Sequence, residues 1–104
     1  MTFDTDPRDP RDNKLSGRFP LGRLVGTPGA IERMKQYNIK PEDLIRRHAS
    51  GDWGDVDPHD ARENEFAVDH GLRLMSSYGT GDECLWVITE ADRSVTTILR
   101  PEDY

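Results

Sequence analysis

Cys84-Leu-Trp-Val-Ile-Thr89 is the most apolar run in this chain of 104 residues, and it limits what the rest can build. Bounded by turn signals on both sides, it reads as a central strand. Upstream, Leu72, Leu74, Ser76 and Tyr78 alternate with Arg73, Met75 and Ser77, the period of a strand with one buried face. Downstream, Val95-Thr-Thr-Ile-Leu99 is a second β-branched segment, stopped by Pro101. Gly79-Thr-Gly-Asp82 and Ala91-Asp-Arg93 supply the turns. The last third is therefore predicted to be a three-stranded antiparallel meander.

Three helix signals precede it. Thr27 before Pro28 pairs a capping hydroxyl with proline at the first helical position; Ile31 and Met34 then share a face, and Asn38 can end the helix in a left-handed conformation. Pro41 opens a second helix, with Glu42 and Asp43 in the first turn, Leu44, Ile45 and His48 on its buried side, and Gly51 as stop. Asp57-Pro58 opens a third, expected to reach about His70 with Gly71 beyond, on a surface rather than through the core, with Phe66 off its narrow apolar stripe. Leu21, Leu24 and Val25 suit a short strand or an extended packing segment. The expected class is α+β, with two or three short helices on the meander.

Residues 1–19 read as a disordered or extended tail, and residues 20–104 as a single small domain. The tail repeats Asp-Pro-Arg-Asp at 6–9 and 9–12 and has little to bury. With 34% hydrophobic and 33% charged residues and a mean hydropathy of -0.81, the core is thin. No segment approaches the roughly 18 apolar residues of a membrane span, and the start lacks the apolar run of a secretory signal. One cysteine, Cys84, leaves no internal disulfide and no cysteine-built zinc site. Nicotinamide folds, kinases, P-loop enzymes and zinc fingers do not fit this length and composition, and no cofactor is expected.

Net charge is -6, and it is unevenly placed. Residues 51–71 hold seven acidic side chains against Arg62 alone, whereas residues 24–50 are mildly basic. Such a segment repels phosphate backbones, so direct nucleic-acid binding is not expected; a basic protein partner suits it better. Its candidate contact residues are Asp52, Trp53, Asp55, Asp57 and Asp60. Trp53, between two Gly-Asp pairs, can be a recognition anchor or a lid folded over the core. The carboxylates do not follow the spacing of a calcium loop, and no metal is expected.

His48 is either a satisfied core residue or a general acid/base, for which Ser94, Thr96 or Thr97 are possible partners. Arg93 can clamp a phosphate, or pair with Glu90 or Asp92 across its turn.

Thr27-Pro-Gly-Ala30, Arg47-His-Ala-Ser-Gly-Asp-Trp-Gly-Asp55, Glu63-Asn64, Ser77-Tyr78, Trp86-Val-Ile-Thr-Glu-Ala-Asp-Arg-Ser94, Thr96-Thr97 and Pro101 through Tyr104 together carry a resemblance. Over about residues 20–104 the chain is similar to a family of small bacterial proteins of plasmids and integrated mobile elements, the plasmid-related proteins. That resemblance implies the bacterial cytoplasm and mobile DNA as context. In shape, helices before a meander also resemble the barnase–EndoU–colicin–RelE group of metal-independent ribonucleases. By that analogy His48 would be the acid or base, Arg93 the phosphate clamp, and Thr97 or Ser94 an auxiliary donor. The leading expectation is a non-enzymatic accessory protein that binds a host or element-encoded protein through an acidic surface, in one form as an anti-defence inhibitor. A small ribonuclease or toxin-like enzyme is the alternative.

Overall fold

The computed structural model describes residues 17–104; residues 1–16 of the expected tail lie outside the described residues. Two of the three helices begin at a side-chain cap. Thr27 accepts from the Ala30 N–H and opens α1 (Pro28–Gln36), while Asn38 takes the left-handed conformation just beyond. Helix α2 spans Pro41–Ala49. Asp57 accepts from the Asp60 N–H and opens α3 (Pro58–His70), which ends on left-handed Gly71, a conformation glycine adopts without steric cost.

Four strands follow from the remaining apolar segments: β1 (Arg23–Gly26), β2 (Leu74–Tyr78), β3 (Leu85–Thr89) and β4 (Val95–Leu99). They form one mixed sheet in the order β1-β4-β3-β2. Strands β2, β3 and β4 make the expected antiparallel meander, with Ser76 opposite Val87 and Val87 opposite Ile98. The expectation of a three-stranded antiparallel sheet is corrected by β1, which pairs in parallel with β4, Leu24 beside Thr96. That pairing joins segments about seventy residues apart, and no local pattern announces it.

All three helices cover one face. Leu24, Leu74, Tyr78, Leu85, Val87 and Ile98 point into it and meet Ala30 and Met34 of α1, Leu44, Ile45 and Ala49 of α2, and Ala67 of α3. Phe19 and Leu21 are also buried there. On the other face the Trp86 and Tyr104 rings meet edge-on at 5.7 Å. The C-terminal turn that carries Tyr104 is pinned: the Thr27 hydroxyl donates to Asp103, Arg100 makes charged hydrogen bonds to the same carboxylate, and Arg33 reaches Glu102.

The outer edge of β2 is closed by two devices. The Asn64 amide donates to the Met75 carbonyl and accepts from its N–H, imitating a neighbouring strand. Next along, Ser77 exchanges hydrogen bonds with the backbone at Trp53 and Asp55. Gly54 lies between them at φ +75°, and a Cβ there would collide with the Ser77 carbonyl oxygen and the Tyr78 ring. Paired edges cannot recruit further strands. No helix among the described residues is long and apolar enough to cross a membrane.

Candidate functional site

His48 is fully buried between α2 and the sheet, 0% exposed. Its Nδ1 lies 2.5 Å from Ser76 Oγ and its Nε2 2.9 Å from Thr89 Oγ1. Thr89 Oγ1 is 2.7 Å from Thr96 Oγ1, and the Thr96 hydroxyl donates to the Leu21 carbonyl. One proton per hydroxyl fixes every direction in this chain. Thr96 spends its proton on Leu21, so Thr89 donates to Thr96, His48 Nε2–H donates to Thr89, and Ser76 donates to Nδ1. The imidazole is neutral: burial, followed by the field of Arg93, pushes its pKa down to about 3. Phe19 and Trp53 close around it edge-on, at 5.3 and 5.7 Å between ring centroids.

The other residues of the expected acid/base set are engaged or turned elsewhere. Arg93 donates to the carbonyls of Leu72, Glu90 and Ala67, so its guanidinium ties the end of α3 to the β3–β4 turn. It pairs with neither the Glu90 nor the Asp92 carboxylate; Asp92 accepts from the Ser94 N–H within the turn. Thr97 alternates with buried Thr96 and takes the opposite side of β4, away from His48. Of the three hydroxyls considered for His48, only Thr96 joins its network, and it does so through Thr89.

The segment after α2 is folded inward. Arg47 holds Asp52 through Nε and Nη2, at 2.7 and 3.4 Å, and lies over the Tyr78 ring, whose hydroxyl donates to the Asp52 carbonyl. Paired with Arg47, the Asp52 carboxyl sits below its usual pKa. Trp53 is 6% exposed, the lid arrangement rather than the anchor, and its Nε1–H donates to Glu65, which also binds Arg18. Burying such a ring removes about 150–250 Å² from water. Asp55 accepts from the Gly79 N–H.

Asp52 and Asp55 stay exposed while held by these contacts, and a further acidic surface lies along the exposed side of α3. Asp57, Asp60, Glu63 and Asp69 are exposed there, with Phe66 52% exposed and its ring stacked on His70 at 3.8 Å. Leu72, expected inside, is 46% exposed just past the helix end. Among the described residues Asp57, Asp60 and Glu63 make no ion pair with lysine or arginine; Asp60 and Glu63 lie 3.5 and 3.6 Å from His59. Asp57, His59 and Asp60 bring ligand atoms within 4.8 Å of one another, but in the open, and Asp57 already caps the helix. Beside α3 is a shallow hollow of about 190 Å³ lined by Asp60, Glu63, Asn64, Arg73, Met75 and Tyr104.

Sequence reasoning passed over Asn64, Glu63 and Phe66. Phe66 had a signal, its place off the apolar stripe of α3. Asn64 had none, since its partners lie eleven residues away. The chain is thus a small α+β protein with a sealed polar core and an acidic, aromatic-centred helix face. No family model, no curated protein and no solved structure matches it.

Proposed function

We propose that this chain is a non-enzymatic accessory protein of bacterial plasmids or mobile elements, and that it binds a cationic protein through the outer side of α3. The observation that carries this reading is Phe66, half exposed on a helix whose outward carboxylates Asp57, Asp60 and Glu63 have no lysine or arginine partner among the described residues. An exposed aromatic ring offers a contact anchor, and unpaired carboxylates steer a partner of opposite charge. The resemblance to plasmid-related proteins supplies the cellular context. Masking a basic nucleic-acid-binding surface is one form this function takes, since the same charges repel nucleic acid itself. Trp53 supports α3 from within through Glu65, whereas Asp52 and Asp55 are exposed and held by Arg47 and the Gly79 N–H. The ribonuclease-like alternative gains less support: general acid/base work needs reach to a substrate, and His48 has no exposed surface.

The test is affinity capture from bacterial lysate with the full chain as bait. Phe66→Ala and the reversal Asp60→Lys with Glu63→Lys should each lose salt-sensitive, Lys/Arg-rich prey. The same reversal at Asp82 and Glu83, on the β2–β3 turn, should retain them. An unchanged prey profile in the α3 variants contradicts the proposal.

A further inference from the structure

Resting on that docking reading, we infer that the hollow beside α3 receives a single arginine side chain of the partner. Its volume of about 190 Å³ falls below the roughly 300–1,000 Å³ of small-molecule sites, so it suits one side chain rather than a cofactor or nucleotide. Its walls are held in place. Asn64 turns its amide to the Met75 backbone, and the C-terminal turn that presents Tyr104 is fastened to Thr27 and Arg33.

The polar groups around the hollow select a cation. Arg73 donates to the Tyr104 hydroxyl and lies 3.9 Å from Glu90, which balances its charge. Asn64 is spent on β2. The Asp60 and Glu63 carboxylates, three residues apart on one side of α3, have the His59 imidazole 3.5 and 3.6 Å away and no lysine or arginine partner among the described residues, so they still have lone pairs to offer a donor. An anion would face both of them and find Arg73 already engaged.

Shape then favours arginine over lysine. Met75 and the Tyr104 ring, 68% exposed, offer flat apolar surface, and that ring already carries the Arg73 guanidinium at 5.1 Å. A second guanidinium can lie against this surface and direct N–H pairs to two carboxylates; an ammonium is a compact point charge without that fork.

The full chain, labelled at its methionine methyl groups, tests this by NMR titration with N-acetyl-arginine amide and N-acetyl-lysine amide. Met34, buried in the core, is the internal control. The arginine probe should move the Met75 methyl signal saturably in the millimolar range and leave Met34 unmoved. The lysine probe should bind more weakly, and Asp60→Asn with Glu63→Gln should weaken arginine binding about fivefold, as two exposed charge pairs allow. An unmoved Met75 signal, equal binding of the two probes, or indifference to the double substitution overturns the inference. Should prey capture still depend on Phe66 in those cases, only the hollow is struck out; loss of both removes the docking reading as well.

Discussion

Between α2 and the sheet, His48, Ser76, Thr89 and Thr96 direct every polar hydrogen to a protein acceptor, ending on the Leu21 carbonyl. On the outer side of α3, Asp60 and Glu63 are exposed beside His59, with no lysine or arginine ion pair among the described residues. Both regions hold residue types associated with chemistry, and burial separates their roles. A fully satisfied network in low dielectric specifies the fold, because each lost partner leaves a desolvated group behind. Exposed carboxylates contribute little to stability and stay available to another molecule.

The largest expected effect breaks the first region. His48→Ala removes both ring contacts and leaves the Ser76 donor and Thr89 acceptor in an apolar site, a loss of about 3 kcal/mol or more in urea unfolding. If His48 instead tolerated alanine within about 0.5 kcal/mol, the sealed network would not be structural.

Acid tests the same region without mutation. The folded chain holds the His48 pKa at about 3 against 6.5 for the free side chain. Above pH 7 the imidazole is neutral in both states, and this group adds no slope. As pH falls below 6.5 the unfolded chain binds a proton that the folded chain refuses, so stability drops by up to about 1.4 kcal/mol per unit. Between pH 6.5 and 5 that amounts to about 1.6 kcal/mol by urea unfolding, and His48→Gln should flatten the slope there. Carboxylates held low by partners, such as Asp52 and Glu65, lose their contribution only further into acid.

Asn64 lies between the two regions, and its expected effect is next in size. Asn64→Ala unpairs the Met75 N–H and carbonyl and should cost about 2 kcal/mol. Hydrogen exchange at Met75 should quicken more than at Val87 in the sheet centre. Smallest of all, Asp60→Asn with Glu63→Gln should leave the unfolding midpoint unchanged, within about 0.5 kcal/mol. A large loss there would erase the contrast between the regions.

Local chemistry was readable in the sequence, and distant pairing was not. Thr27, Asp57, Asn38 and Gly71 mark helix ends because a cap and its partners lie within a few residues. Alternation in Leu74–Tyr78 gives the buried face of β2 for the same reason. The parallel pairing of β1 with β4 depends on segments far apart in the chain, and so the sheet gained a fourth strand and a mixed sense. The same limit governs the site. His48 was placed on the buried side of α2, yet its partners Ser76 and Thr89 come from two other strands. Trp53 left both roles open until Glu65 and Phe19 supplied its surroundings. Arg93 carried an obvious charge, but its acceptors are carbonyls that composition does not reveal.

Photo-crosslinking inside bacterial cells addresses the docking face most directly. Benzoylphenylalanine is placed at Phe66 in one strain and at Lys35, on the exposed side of α1, in another. Adducts should form from position 66 with Lys/Arg-rich proteins, disappear when Asp60 and Glu63 are changed to lysine, and be absent from position 35. No adduct at position 66, or equal adducts from both positions, contradicts a partner docked on α3.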